Sequence, residues 1–547
     1  MSQLAYVIGL DFGTDSVRAL LVNALTGEEM ATSVSHYKRW AKGLYCNPNL
    51  SQYRQHPSDY IESMEDCIKA VLSLVAPEIS SLVKGISIAT TGSTPAPVNE
   101  SGIPLALLPE YSENPNAMFI LWKDHTAVKE ADEINQLASG WIIDYTKYSG
   151  GIYSPEWFWS KILHIVRNDE KIKQAVFSWI EHCDWMPALL TGNTDPLKAK
   201  RSRCAAGHKA MWHAEFNGLP SEEFLTKLDS KLKGLRKNLY DDSYTTDELA
   251  GIISQEWAQR LGLPDTVVIG VGAIDAHVGA VGACIEPYSM VKVMGTSTCD
   301  ILVVPLEKHK NQLIKGICGQ VEGSVLPGML GMEAGQSAFG DMFHWFRNLL
   351  ISPLKELLLN KLSQHEWDEI VDNILPMLGQ KAFELPVLRS DELSLDWING
   401  RRTPDADMSL SAAITRINLG SDAVSIFKSL VEATAFGSKA IIDRFTEEGI
   451  AVNSIIAVGG ISKKSDFVMQ TLANILRLPI KVVSSEQAGA LGSCMFAATI
   501  AGIYPTISHA QKSMSSKFAT VYTPYEEKAK NYEILYKEYL NLGSKLS

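Results

Sequence analysis

Two hairpin-like segments with matching turns, one near the start of the chain and one near its middle, constrain the fold more than any other feature. In the first, the apolar run 5–10 (AYVIGL) is followed by Asp-Phe-Gly-Thr-Asp-Ser and by a second apolar run at 17–22 (VRALLV). In the second, residues 290–294 (MVKVM) precede Gly-Thr-Ser-Thr and residues 300–304 (DILVV). Short runs of this kind around a turn predict antiparallel strand pairs. Because the two turns lie about half the chain length apart, the pattern predicts two halves that are built alike.

The second half of the chain alternates strand-like and helical patterns. Strand-like runs at 455–458 and 480–483 flank a stretch with helical spacing at 467–478. A succession of this kind forms a βαβ unit, in which helices cover a sheet. With 547 residues, the chain also exceeds what one hydrophobic core usually organises. We therefore expect an α/β protein of two domains, residues 1–286 and 287–547.

The charge balance and the cysteine pattern narrow the classes of partner. A formal net charge of −12 argues against binding to nucleic acid or to an anionic membrane surface, since both need clustered Lys and Arg. No uninterrupted apolar stretch approaches the ~20 residues of a membrane helix, and the N-terminus has no secretory signal pattern. The eight cysteines include no C-x-x-C pair, which disfavours a zinc site or a disulfide framework. We expect a cytoplasmic protein with a small-molecule partner, no nucleic acid and no membrane.

The two turns carry the residue types that phosphate chemistry requires. A Gly- and Thr-rich turn between strands can direct backbone N–H groups and hydroxyls at a phosphate, and a preceding aspartate can face the magnesium ion that accompanies ATP. Each turn alone is about as well explained by ordinary turn chemistry, since Asp, Thr and Gly all favour turns. The pairing of two turns, with a Gly-Gly turn downstream and no Walker A loop, favours a two-lobed ATP site. The predicted nucleotide-binding residues are Asp11, Gly13, Thr14, Asp15, Ser16, Gly295, Thr296, Ser297, Thr298, Gly459 and Gly460.

Asp275 has two interpretations. It follows an apolar strand-like run and a small-residue turn within residues 268–278 (VIGVGAIDAHV). A carboxylate at such a position can act as a general base. It can also be an N-cap, because an Asp before a helix accepts hydrogen bonds from backbone N–H groups of the first turn. The residues alone leave both interpretations open.

These segments occur in an order that resembles the FGGY carbohydrate kinases, which are members of the actin-like and hexokinase-like ATPases. Residues 154–163 (SPEWFWSKIL) are similar to the first signature of that family, and residues 430–443 (LVEATAFGSKAIID) to the second. The resemblance spans nearly the whole chain. It implies two actin-like, ribonuclease H-like ATPase domains with an interdomain cleft, and ATP with Mg²⁺ as cofactors. It also implies that Asp11 faces Mg²⁺ through water and that Asp275 is the catalytic base.

Some further segments resemble the ribulokinase branch of the family, namely residues 121–125 (LWKDH), 200–213 (KRSRCAAGHKAMWH) and 331–337 (GMEAGQS). This resemblance implies that Lys209, Glu333 and Asp275 line a sugar pocket. It implies phosphorylation of L-ribulose to L-ribulose 5-phosphate, a step of L-arabinose catabolism. Without the resemblance, Lys209 is interpreted as a solvated surface lysine and Glu333 as a helix-terminal charge.

One segment, residues 89–95 (ATTGSTP), departs from that pattern, since ribulokinases usually carry an Asp, an aromatic residue and a Thr at its first three positions. The segment is still expected to contribute to the sugar pocket, through Gly92 and Ser93. The departure keeps xylulose, another ketopentose or glycerol open as the substrate. The alternative from a different class is a nonenzymatic, chaperone-like ATPase of the actin superfamily. The expected partner is a small-molecule ketopentose, and a homodimer stays open.

Overall fold

The computed structural model describes residues 4–358 and 361–546, which form two large sheets and the helices that cover them. The strands are, in chain order, β1 Tyr6–Phe12, β2 Ser16–Asn23, β3 Glu29–His36, β4 Cys46–Asn47, β5 Gln52–Gln55, β6 Val83–Thr90, β7 Pro95–Val98, β8 Phe119–Ile120, β9 Ser178–Glu181, β10 Leu249–Ile252, β11 Val268–Gly270, β12 Ala273–Ile274, β13 Ser289–Met294, β14 Thr298–Pro305, β15 Gly319–Glu322, β16 Met329–Ala334, β17 Leu393–Ser394, β18 Ile414–Thr415, β19 Ser454–Val458, β20 Ile480–Val483 and β21 Phe518–Tyr522. The α-helices are α1 Pro57–Ser73, α2 Val128–Ser139, α3 Phe158–Asn168, α4 Glu170–Ala175, α5 His182–Thr191, α6 Arg203–Lys209, α7 Glu222–Leu228, α8 Gln255–Leu261, α9 Asp275–Gly282, α10 Leu306–His309, α11 Gly340–Leu358, α12 Gln364–Glu384, α13 Ala423–Glu447, α14 Gly460–Lys464, α15 Asp466–Leu476, α16 Ala488–Ile500, α17 Ile507–Met514 and α18 Glu526–Leu546. Within these two ranges, no helix combines the length and the apolar character needed to cross a bilayer.

The first sheet is built around the predicted first hairpin. Its strands run in the order β10-β11-β6-β1-β2-β3, and β12 also pairs with β6. β1 pairs antiparallel with β2 and parallel with β6. Nearly every side chain of β1 is buried, so both faces of this strand are covered, as its continuous apolar run predicts.

The second sheet repeats this topology. Its order is β21-β20-β19-β13-β14-β16-β15, and β13 pairs antiparallel with β14 and parallel with β19. From β13 outward, each pairing has the same direction as its counterpart around β1, and β15 is an additional edge strand. The repeat predicted from the two hairpins is therefore confirmed, and so is the predicted unit of β19, α15 and β20.

Two equivalent helices cross between the sheets. α9 follows β12 of the first sheet and α16 follows β20 of the second, and the two helices pack against each other. A Cβ atom at Gly282 would lie 2.0 Å from the Ala488 carbonyl oxygen, and one at Gly492 would lie 2.0 Å from the Val278 carbonyl oxygen. Glycine is required at this crossing because any larger side chain would force the helices apart.

The two halves share a core at this crossing. α16 contacts β1, β2 and β6 of the first sheet, although it comes from the second half of the chain. One cluster of buried side chains contains Val7 of the first sheet and Ile301 of the second. The division into residues 1–286 and 287–547 coincides with the change of sheet, but it stays a prediction because the two parts are packed through a common interior.

The chain between β7 and β10 contains helices α2 to α7, of which α5 packs against β6, β10 and β11 of the first sheet. It has its own buried cluster, to which Trp159 and Trp179 contribute. Helix α6 of this region ends at Lys209, and it contacts β15 of the second sheet. The packing therefore carries Lys209 from the first half of the chain to the second sheet.

Candidate active site

A cleft of about 1240 Å³ opens between the two sheets, and both halves of the chain line it. The predicted site residues that line it are Asp11, Gly13, Thr14, Gly92, Lys209, Asp275, Gly295, Thr296, Ser297, Thr298, Glu333, Gly459 and Gly460. Residues separated by hundreds of positions in the sequence thus meet in one space.

Among the described residues, three predicted ligands lie outside this lining: Asp15, Ser16 and Ser93. Asp15 is exposed and accepts a hydrogen bond from Ser16 Oγ at 2.9 Å. Ser93 is buried and donates its hydroxyl hydrogen to Glu181. All three belong to or adjoin loops beside the cleft, and their ligand contacts stay predictions.

The first turn is fixed by bonds from outside it. Gly13 N donates to Ser16 O at 2.9 Å, which closes the turn. Gln55 Nε2 donates to Thr14 O at 2.6 Å, and Trp122 Nε1 donates to Thr14 Oγ1 at 3.0 Å. Such contacts hold the Thr14 hydroxyl in a defined direction, as a preorganised phosphate site requires.

Asp11 supplies the acidic group of this turn. Burial raises the pKa of Asp11 to about 6, and Arg18, its neighbour across the hairpin, offsets part of the rise. A Cβ atom at Gly489 would lie 2.5 Å from Asp11 Oδ2, so the start of α16 comes close to this carboxylate. A poorly solvated carboxylate facing a cleft is a hard oxygen ligand of the kind that Mg²⁺ prefers.

The second turn faces the same cleft without a carboxylate of its own. Gly295 N donates to Ser297 O at 3.0 Å, and Gln336 N donates to Thr298 Oγ1 at 3.0 Å. Beside it, Gly459 has a φ of 106°, and a Cβ atom there would lie 2.3 Å from the Met294 carbonyl oxygen. Only glycine fits this position, which lets the start of α14 approach the turn.

Asp275 is the first residue of α9 and not its N-cap. The N-cap is Ile274, which has no side-chain cap bond, while Asp275 Oδ1 accepts from the adjacent Ala276 N at 2.6 Å. Burial raises the pKa of Asp275 to about 7, and the charge of Asp11 adds to the rise. A carboxyl group with a pKa near neutrality has the properties of a general base.

Lys209 and Glu333 form an ion pair between the two halves of the chain. Lys209 Nζ lies 2.7 Å from Glu333 Oε1 and 2.9 Å from Glu333 Oε2. Burial alone would raise the pKa of Glu333, but Lys209, with smaller effects of His277 and His208, lowers it to about 2. Both side chains are buried, so Lys209 is not a solvated surface lysine, and Glu333 lies in strand β16 and not at a helix terminus.

Several cleft residues were not assigned a role from sequence. Glu156 Oε1 lies 2.8 Å from His125 Nε2 and 3.4 Å from Arg402 NH2, which gives a second ion pair between the halves. No local pattern relates Glu156 to Arg402, because 246 positions separate them. Arg18 could have been found, since a hairpin with this turn places it opposite Asp11.

Family models match both halves of the chain. The N-terminal domain of the FGGY family of carbohydrate kinases matches residues 6–282, and the C-terminal domain of that family matches residues 290–501. The chain belongs to the FGGY family of carbohydrate kinases. As an FGGY kinase, it transfers a phosphoryl group from ATP to a carbohydrate, so the nonenzymatic alternative is not supported.

Curated relatives match over almost the full chain. A ribulokinase from Vibrio parahaemolyticus serotype O3:K6 (strain RIMD 2210633) is 50% identical over 526 residues, which cover 95% of this chain and 92% of the relative. A ribulokinase from Halalkalibacterium halodurans is 36% identical over 552 residues, with coverages of 98% and 94%.

Solved structures confirm the predicted α/β fold of two actin-like domains. Ligand-bound xylulose kinase from Lactobacillus acidophilus superposes with a TM-score of 0.77 at 18% identity, covering 99% of this chain and 98% of the other. Plasmodium falciparum glycerol kinase with ADP gives a TM-score of 0.75 at 15% identity, covering 98% of each chain. At such identities the likeness concerns the fold alone.

Proposed function

We propose that this FGGY kinase phosphorylates the 5-hydroxyl of L-ribulose, with Asp275 as the general base, in the use of L-arabinose. Relatives with half or a third of their residues identical carry the name ribulokinase. The observation that carries the proposal is the position of Asp275 in one cleft with Asp11 of the first phosphate turn and with the Lys209–Glu333 pair.

Asp275 would accept the proton of the hydroxyl as its oxygen bonds to the γ-phosphorus and the bond to ADP breaks. Because its pKa is about 7, much of the carboxyl group is ionised at neutral pH, and it is more basic than an ordinary Asp. Phosphoryl transfer has a loose transition state, so positioning and charge neutralisation contribute most of the acceleration.

The residues of the first turn fit a magnesium site. Asp11 offers a buried carboxylate oxygen at the cleft, and it would hold Mg²⁺ through water. When bound, Mg²⁺ neutralises charge on the phosphate oxygens of ATP. The chain itself contributes hydroxyls and backbone N–H groups from Thr14 and from the turn at Thr296.

The Lys209–Glu333 pair would bind the sugar hydroxyls. Lys209 supplies donors and the ionised Glu333 supplies acceptors, and both face the cleft. Gly92 also lines the cleft, and a Cβ atom there would lie 2.8 Å from Ile274 Cγ1, so glycine lets this loop pack closely against Ile274 beside Asp275.

A panel of substrates tests the proposal. ADP release is measured with L-ribulose, D-ribulose, L-xylulose, D-xylulose and glycerol. We expect the highest kcat/KM for L-ribulose, with activity on other 2-ketopentoses. If glycerol or D-xylulose is better by about tenfold, a difference of roughly 1.4 kcal/mol, the assigned substrate is wrong. The cytoplasmic location stays a prediction, which cell fractionation tests. The homodimer also stays a prediction, which light scattering tests.

A further inference from the structure

Trp122 lies at the junction of the sugar pocket and the first phosphate turn. Its ring lines the cleft together with Gly92 and His125, and its Nε1 donates to Thr14 Oγ1 at 3.0 Å. The residue therefore borders the cleft and also donates to the hydroxyl group of the first turn.

The direction of this hydrogen bond matters for Thr14. An indole N–H can only donate, whereas a threonine hydroxyl has one hydrogen and two lone pairs. Trp122 occupies a lone pair of Thr14 Oγ1, so the hydroxyl hydrogen is left to donate to a phosphate oxygen. Gln55 Nε2 holds the carbonyl group of the same residue at 2.6 Å.

The loop that carries Trp122 is tied to the sugar loop by a buried ammonium group. Lys161 Nζ donates to Leu121 O at 2.9 Å and to Ser93 O at 2.7 Å. Burial lowers the pKa of Lys161. Its hydrogen bonds to backbone carbonyl groups offset the cost of burying an amino group. Lys161 therefore links residue 93 of the one loop directly to residue 121 of the other.

On the other side of the sugar loop, Glu181 completes the attachment. Its Oε2 accepts from Thr94 N at 2.6 Å, and its Oε1 accepts from the Ser93 hydroxyl. The path from sugar to phosphate thus has three directed contacts: Glu181 to the sugar loop, Lys161 between the two loops, and Trp122 to Thr14.

We propose that Trp122 couples the two substrates, so that occupancy of the sugar pocket fixes the indole and, through it, the Thr14 hydroxyl that binds phosphate. Trp122 is then a positioning residue: sugar raises the affinity for nucleotide, and by linkage nucleotide raises the affinity for sugar by the same factor. The choice of sugar rests on the proposed function, whereas the coupling itself does not depend on which carbohydrate is bound.

Calorimetry measures the coupling. The Kd of AMP-PNP with Mg²⁺ is determined without sugar and with saturating L-ribulose, or with the best substrate of the panel if L-ribulose fails to bind. We expect sugar to tighten nucleotide binding about fivefold or more in the wild type. In Trp122→Phe, which keeps an aromatic ring but lacks the N–H group, this factor should fall towards one.

Matched variants separate coupling from a general packing effect. Trp212→Phe removes an indole N–H that donates to Asp241 O at 2.6 Å outside the cleft lining, and it should keep the wild-type factor. Thr14→Val should remove the coupling, and Thr14→Ser, which restores a hydroxyl, should recover it. In the Thr14→Val background, Trp122→Phe should cause no further change in the factor.

Several outcomes would overturn the proposal. These are a factor of one in the wild type, an unchanged factor in Trp122→Phe, or an effect of Trp122→Phe that persists in the Thr14→Val background. If Trp122→Phe fails to fold, as judged by circular dichroism, the Thr14→Val and Thr14→Ser pair decides alone. Failure of L-ribulose to bind contradicts only the assigned substrate, because the factor is then measured with the sugar that does bind.

Discussion

The two hairpin turns occupy equivalent places in the two sheets and yet carry different chemistry. The first turn presents Asp11, whose pKa is raised by burial. Helix α9, which is the counterpart of α16, begins with a second carboxylate, Asp275. The second turn, Gly295 to Thr298, presents hydroxyls and backbone groups, and α16 begins at Ala488. The topology is repeated, but of these two turns and two helix starts only those of the first half carry a carboxylate.

Two sheets of the same topology can therefore contribute different groups to a single reaction. The repeated strand order brings two loops and two helix starts to one cleft, whatever side chains they carry. Carboxylates on both turns would place like charges around the phosphates of ATP, which electrostatic repulsion disfavours. A carboxylate at the first turn and none at the second turn avoids that repulsion.

The largest expected effect is a loss of kcat on substitution of the first residue of α9, compared with the first residue of a helix in the second half. Asp275→Asn should lower kcat by about 10²–10⁴-fold, because an amide cannot accept the hydroxyl proton. The matched control is Asp466→Asn, since Asp466 is the first residue of α15 in the second half. That control should keep kcat within about twofold, as a substitution far from the chemistry does.

The pH profile sharpens this test. Wild-type kcat should fall as the pH drops below about 7, the pKa of Asp275, because the base becomes protonated. The residual rate of Asp275→Asn should lack this dependence. If Asp275→Asn keeps more than about a tenth of wild-type kcat, the assignment of the base is wrong and Glu333 becomes the candidate.

The second prediction compares the turns themselves. Asp11→Asn should raise the Mg²⁺ concentration needed for half-maximal rate by about 10–100-fold, as loss of an outer-sphere ligand typically does. Thr296→Val in the second turn should raise the KM for ATP by about tenfold or less and leave the Mg²⁺ requirement unchanged. Titrations of rate against Mg²⁺ at fixed ATP measure both. Equal shifts in the Mg²⁺ requirement would mean that the turns are not divided in this way.

The third prediction compares a buried ion pair in the cleft with one outside it. Lys209→Met should raise the KM for the sugar by roughly 5–150-fold, since Glu333 and the sugar hydroxyls lose a partner, and should leave the KM for ATP nearly unchanged.

Its control is Lys428→Met, because Lys428 Nζ lies 2.6 Å from Asp391 Oδ2 and 2.9 Å from Glu432 Oε1 in the second half. That variant should lower the melting temperature with a wild-type KM for the sugar. A wild-type sugar KM in Lys209→Met would remove Lys209 from the pocket.

The sequence predicted the parts of this comparison that depend on local pattern. The hairpins, the βαβ unit and the residues of both turns could be located because strand alternation and turn residues are visible within a few positions. Asp275 could be found but not assigned, since a base and an N-cap look the same until the helix start is known.

Contacts between segments that are distant in the sequence could not be predicted. Nothing local relates Glu156 to Arg402 or Trp122 to Thr14, because the fold alone brings these pairs together. The predicted ligand roles of Asp15, Ser16 and Ser93 stay predictions, since the side chains of Ser16 and Ser93 donate to Asp15 and Glu181. Side-chain direction depends on tertiary packing, which a motif does not specify.

The smallest expected effect is on stability. It concerns Asp275, the residue proposed as the base, at the start of α9. In the folded protein, burial and the charge of Asp11 raise the pKa of Asp275 from its ordinary 3.8 to about 7, with Glu333 adding to the rise and Lys209 opposing it. Between these values the unfolded chain has released the proton that the folded chain still binds. Stability from this group is therefore complete below about pH 4 and decreases as the pH rises to about 7.

Asp275→Asn removes the buried charge and so escapes this decrease. The variant should melt roughly 1–3 °C above the wild type at pH 8, and the difference should shrink towards zero near pH 4. Asp466→Asn in the second half should show no such pH-dependent difference. Differential scanning fluorimetry at matched ionic strength measures all three proteins. A variant that melts below the wild type at pH 8 would mean that the ionised carboxylate is stabilised in the folded protein, and the raised pKa of Asp275 would be wrong.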